Sequence, residues 1–256
     1  MLEAATVMRL AIRHWVCFFA LAAVVGIHFP ESVSAATDKD SHKDVVVLLH
    51  GMGRGPLSMK RIEWALQKRG YRVINVGYPS TSFPVETLAR TRLAPVLREL
   101  ELPPGGRIHF VTHSLGAIVL RQHLATEPLP NLGRVVMLGP PNRGSEIVDA
   151  LKREPFLRLF TGPTGQQLGT SSEDLPRKLG PARFELGVVA GDRPLNPFFS
   201  GRLPRPHDGK VSVDSTRLEG MSDFRVVHCS HTFLPWRKDV IQQVISFLET
   251  GRFSKR

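Results

Sequence analysis

The chain has 256 residues, 42% of them apolar, and neither an internal repeat nor a low-complexity run. That supplies one substantial core and excludes a collagenous, fibrous or wholly disordered protein. The formal charge of +11 is spread along the chain, without a recognition motif or an aromatic-basic repeat. It marks a basic solvated surface with long-range attraction to an anionic membrane surface or envelope polymer, and no nucleic-acid partner is expected.

The first residues stand apart. Arg9 and Arg13 precede an uncharged stretch from Trp15 to Ile27, and Val33-Ser34-Ala35-Ala36 offers small residues for cleavage. This is the layout of a secretory signal peptide over residues 1–36, which predicts an exported protein, periplasmic or secreted. An uncleaved membrane anchor is the alternative, although the apolar stretch falls short of the ~20 residues that span a bilayer. Cys17 lies inside that stretch, so cleavage leaves Cys229 as the sole thiol and no internal disulfide. The remainder, residues 37–256, reads as a single domain.

Val45 to Leu49 is uniformly apolar and largely β-branched, as a parallel strand buried on both faces requires. Leu57 to Arg69 has helical spacing and Gly70 can end it; Tyr71 to Val76 is the next strand. A helix follows from Val85 to Leu100, stopped before Pro103-Pro104-Gly105-Gly106. Ile108 to Val111, Arg134 to Leu138, Phe184 to Ala190 and Phe224 to His228 are further strands, and Val240 to Leu248 carries the apolar stripe of a last helix closed by Gly251. Such alternation predicts an α/β fold, a mostly parallel sheet with helices on both faces. Residues 142–183 interrupt it, with Phe156, Leu157, Leu159 and Phe160 among charges, and so long a connection reads as a lid or cap, or as helices covering the sheet edge.

Ser114 lies at the joint between the strand ending at Val111 and the apolar helix from Leu115 to Leu124. The surrounding pattern is T-x-S-x-G: Gly116 meets the need for a small residue after the nucleophile, whereas Thr112 stands where a first glycine is usual. The first strand ends in His50-Gly51-Met52-Gly53, two strand-helix units upstream.

On these residues the chain, from about Asp44 to Thr250, resembles the α/β-hydrolase superfamily, particularly bacterial lipases and esterases. The resemblance implies a minimal version of that fold, a serine nucleophile at Ser114, and an acid and a histidine following in that order. His231, in Cys-Ser-His-Thr-Phe-Leu after the last strand, matches the position of the base. His228 competes with it, and His113 is expected to point away along the elbow. Asp208, which begins Asp-Gly-Lys-Val, matches the acid segment of many bacterial lipases; Asp192, directly after a strand, and Asp214 are the alternatives. The backbone amides of Met52 and Leu115 match the oxyanion donors, and His50 is expected to pack their loop.

A serine hydroxyl becomes a useful nucleophile only when a histidine takes its proton and a carboxylate steadies that histidine. The expected activity is therefore hydrolysis of small-molecule or lipid esters through an acyl-enzyme on Ser114. Amidase or acyltransferase chemistry on the same residues, and a decayed binding protein, are the alternatives. The sequence contains no phosphate loop, dinucleotide glycine pattern or paired histidines at metal-ligand spacing, and no cofactor is expected.

Overall fold

The structure, a computed structural model, describes residues 44–152, 155–195 and 203–255, with the backbone alone at residue 151 and over 155–160. The signal-peptide reading of residues 1–36 and the side chains of Phe156, Leu157, Leu159 and Phe160 lie outside the described residues. Among the described residues no helix is long and apolar enough to cross a membrane.

Six strands form one parallel sheet: β1 (Val45–Leu49), β2 (Arg72–Val76), β3 (Ile108–His113), β4 (Leu132–Leu138), β5 (Leu186–Gly191) and β6 (Asp223–Val227), in the order β2-β1-β3-β4-β5-β6. Alternation along buried strands divides the core in two. Val47, Leu49, Phe110, Val135, Met137 and Val188 face helices that include Leu115–Thr126, while Val46, Leu48, Val111, Val136, Leu138 and Val189 face Lys60–Gln67 and Lys238–Thr250. The expected fold class is observed.

The register places Leu49 beside Thr112, Thr112 beside Met137, and Met137 beside Val188. The segments after β1, β3, β4 and β5 therefore leave the sheet at one level. The order also reverses between β1 and β3, and such a switch point opens a crevice outside the carboxyl ends of the strands.

Two expected helices come out broken, each at a proline. The 57–69 helix begins as a 3₁₀ turn, Pro56–Met59, before Lys60–Gln67. The next runs Val85–Leu88, a π-helical turn Ala89–Leu93, then Ala94–Arg98. Pro95 has no amide for the preceding turn and its ring crowds the carbonyl four residues back, which the wider turn accommodates.

Residues 142–183 form the helices Glu146–Lys152, Pro155–Gln166, which is broken at Gly162 (φ 59°, ψ −170°), and Leu175–Lys178. They are tied to the segment entering the Val85 helix: Thr164 Oγ1 donates to the Phe83 carbonyl, and Gln167 Oε1 accepts the Val85 amide at 2.7 Å.

Candidate active site

β3 ends in a turn so sharp that Ser114 takes φ 53° and ψ −120°, the one positive φ outside glycine among the described residues. A conformation of this kind costs about 1–3 kcal/mol and persists only when its surroundings impose it. Here the Ser114 amide donates to the Leu138 carbonyl at 2.9 Å, and the helix Leu115–Thr126 starts at once. Gly116 lets that helix press against β1: a Cβ there would stand 2.5 Å from the Leu49 carbonyl oxygen. Thr112 fits without leaving the sheet, but it is fully buried and its hydroxyl has no partner among the described residues.

The structure brings Asp208 and His231 together. His231 Nδ1 lies 2.7 Å from Asp208 Oδ2, and both residues are buried. The carboxylate is fixed from its other side, because Oδ1 accepts the amides of Lys210 and Val211, each at 2.9 Å. The Asp208 carbonyl also accepts the His231 amide at 3.1 Å. An ionised carboxylate only accepts, so Nδ1 carries the imidazole proton and Nε2 is left as a proton acceptor. Gly139, just past β4, makes room beneath the pair: it takes φ 55°, and a Cβ would stand 3.1 Å from His231 Nδ1 and 3.2 Å from Asp208 Oδ2.

The other two carboxylates are engaged elsewhere. Asp192 Oδ1 meets His228 Nδ1 at 2.9 Å, with the His228 side chain exposed, and Asp214 forms an exposed ion pair with Arg143. Neither is paired with His231.

The turn after β1 abuts the elbow, since a Cβ on Gly51 would stand 3.2 Å from that of Ser114. His50 braces this turn, as expected. Its ring stacks on Tyr78 at 4.1 Å between centroids, Nδ1 donates to the Gly51 carbonyl at 2.9 Å, and Nε2 accepts the Tyr78 amide at 3.3 Å. Burial holds His50 below the usual histidine pKa, so it is a neutral strut. Met52 follows in the turn, and Leu115 is the first residue of a helix, whose opening amides have no partner within it. Both remain the candidate oxyanion donors.

The sequence reading missed two residues. His113 does not point away along the elbow: its Nε2 lies 3.0 Å from the His231 carbonyl oxygen and the two rings are 4.9 Å apart. Burial first, and the neighbouring His231 second, hold its pKa well below the usual range. Arg121, on the elbow helix, is buried with no carboxylate partner among the described residues. Its guanidinium donates to the Asn142, Pro176 and Gly180 carbonyls at 3.1, 3.0 and 2.7 Å, and burial draws its pKa down to about 10. A period-based reading places such an arginine in solvent, because nothing local marks carbonyls so distant in sequence.

Cys229 is buried and burial pushes its thiol pKa up, as an inert packing residue requires. Among the described residues no cluster of three His, Cys, Asp or Glu side chains is placed to hold a metal ion.

A sequence model of the alpha/beta hydrolase family matches residues 46–246. No curated protein matches the chain by sequence. Several solved structures share its fold. The mature form of Bacillus licheniformis lipase BlEst2 is 19% identical with a TM-score of 0.58, over 84% of this chain and 93% of that one. The metagenomic carboxyl esterase MGS0156 is 18% identical with a TM-score of 0.60, over 83% of this chain and 71% of that one. Aspergillus fumigatus lipase B is 13% identical with a TM-score of 0.62, over 85% of this chain and 55% of that one.

Proposed function

The chain belongs to the alpha/beta hydrolase family, and from that membership we propose that it cleaves carboxylic esters, lipid esters among them, through an acyl-enzyme on Ser114. The observation that carries this reading is the buried 2.7 Å contact between His231 Nδ1 and Asp208 Oδ2, together with a serine held at positive φ on a strand-to-helix elbow.

The chemistry follows from those positions. His231 Nε2 takes the Ser114 proton as Oγ attacks the ester carbon, while Asp208 fixes the imidazole tautomer and steadies its positive charge. The amides of Met52 and Leu115 receive the developing oxyanion, each such donor contributing about 3–4 kcal/mol in the transition state. His231 then passes the proton to the departing alcohol, and water releases the acid by the same route in reverse. The helices of residues 142–183 wall or cover the acyl chain. The protein acts outside the cytoplasm after loss of residues 1–36, where its positive charge draws it to anionic membrane surfaces.

Support for a lipid ester comes from the names of the similar structures, lipases among them, and from the four large apolar residues Phe156, Leu157, Leu159 and Phe160 about Arg158 in the sequence. The test is hydrolysis of para-nitrophenyl esters from short to long acyl chain by wild type and Ser114→Ala, with mass spectrometry of the trapped intermediate. Turnover that vanishes in the variant, with the acyl group on the Ser114 peptide, is expected. Folded protein that hydrolyses none of these esters sinks the reading.

A further inference from the structure

Two cations flank the site that ester cleavage does not itself require. Arg54, just past the Met52-Gly53 turn, donates from Nη2 to Thr232 Oγ1 at 3.3 Å, next in sequence to His231. Lys210 follows Asp208 by two residues, its amide bonded to Asp208 Oδ1 at 2.9 Å. With the His231 amide on the Asp208 carbonyl at 3.1 Å, this forms a path of bonded and adjacent residues from Arg54 to Lys210 that passes through both His231 and Asp208.

Both residues are exposed, and among the described residues neither forms an ion pair. The nearby Asp208 carboxylate offers no counter-charge to spare, being engaged by His231 and two amides. Although Lys210 reaches solvent, the protein packed about its ammonium and, secondly, the Arg54 charge draw its pKa below the usual lysine value. Both charges are also felt at His113, next to Ser114 in the chain and packed against the His231 ring. Two like charges close enough to feel each other repel, and an anion bound beside them relieves that repulsion.

We propose that Arg54 and Lys210 select esters whose alcohol half bears an anionic group, a phosphate or a carboxylate. The inference rests on the ester-hydrolase reading and deepens it. His231 hands its proton to the leaving oxygen, so the alcohol departs beside that histidine, where Arg54 is bonded to the adjacent Thr232 and the Lys210 amide is bonded to the acid Asp208. Guanidinium and ammonium groups both bind such oxyanions by charge-assisted hydrogen bonds.

The test uses matched esters that differ by one anionic group: the butyrate of para-hydroxybenzoate against that of para-hydroxybenzamide, and dibutyryl glycerophosphate against its dimethyl phosphate triester. The first pair reports a carboxylate and the second a lipid-type phosphate. The full chain is expected to favour the anionic member of at least one pair by about tenfold or more in kcat/KM, as one or two charge-assisted bonds allow, with the preference shrinking as salt is added. Arg54→Gln and Lys210→Gln should each move that ratio toward one, chiefly through KM. Arg61→Gln, an exposed cation bonded to the Trp236 carbonyl on a neighbouring helix, should leave it in place.

A wild-type ratio near one in both pairs, or a ratio unmoved by both variants, overturns the proposal. Should folded protein turn over none of the esters, the hydrolase reading fails on its own, and calorimetry with Ser114→Ala decides the anion site separately. Tighter binding of the anionic ester, weakened by Arg54→Gln, supports the site; equal binding of the two members overturns it.

Discussion

His113 Nε2 lies 3.0 Å from the backbone carbonyl oxygen of His231, so the residue beside the candidate nucleophile holds the loop that presents the candidate base. A carbonyl accepts only, so Nε2 carries the proton, and the rest of the ring fills a buried space next to His231. Replacing His113 with Leu strands that carbonyl, a loss of about 1–3 kcal/mol. The expected result is a kcat lowered about tenfold to a hundredfold with KM little changed, and partial recovery in His113→Gln, whose amide can donate. Equal kinetics for the two variants would show that the bond does not position His231.

Burial lowers the pKa of His50, His109, His113 and His123. Below about pH 6.5 the unfolded chain takes up protons that these native imidazoles refuse. Their contribution to stability is therefore complete above that pH and is lost as pH falls, by up to about 1.4 kcal/mol per pH unit for each histidine. Denaturant unfolding at pH 7.5, 6.5 and 5.5 should show this decline, flanked by a flatter response above pH 7. His113→Gln should lessen the slope by about one proton. A stability that rises on acidification would contradict the assignment of neutral buried imidazoles.

Arg121 clasps the two ends of the 142–180 segment to the elbow helix through three backbone carbonyls. In Arg121→Met the aliphatic packing stays but the carbonyls lose their donor, so a loss of about 2–4 kcal/mol is expected, roughly 4–16 °C in Tm. Calorimetry measures it directly. A variant melting within a degree or so of wild type would mean that water or another donor serves those carbonyls equally well.

Thr112 presents the opposite case, a buried hydroxyl without a partner among the described residues. Valine has the same shape and no polar group to leave unsatisfied. Thr112→Val should therefore stabilise the protein by about 1 kcal/mol, visible as a rise of roughly 2–4 °C in Tm. A fall of similar size would reveal a hydrogen bond to an ordered water.

The strands were legible because a parallel sheet covered on both faces demands runs such as Val45 to Leu49, which no surface element would carry. Ser114 was legible from its place between such a strand and an apolar helix, and Gly116 from the close approach that the joint requires. Helix interruptions were not read, although Pro56 and Pro95 mark each of them in hindsight. The direction of His113 and the burial of Arg121 depend on contacts 118 and as many as 59 residues away in sequence, and no local periodicity reports these. Among the three carboxylates weighed, chain order does not discriminate, since all three lie between Ser114 and His231; the Asp-Gly-Lys-Val segment favours Asp208, and its 2.7 Å contact with His231 Nδ1 agrees with that preference.

The most direct test of the proposed roles of Ser114, Asp208 and His231 is the steady-state hydrolysis of para-nitrophenyl butyrate by Asp208→Asn, Asp192→Asn and Asp214→Asn beside wild type and Ser114→Ala. Asparagine keeps the shape of the acid but cannot hold the imidazole in the required tautomer, so Asp208→Asn should lose about ten-thousand-fold in kcat, while the other two asparagine variants stay within a few fold of wild type. Near-normal turnover by Asp208→Asn, with collapse in Asp192→Asn or Asp214→Asn, would contradict the pairing of Asp208 with His231 as the catalytic one.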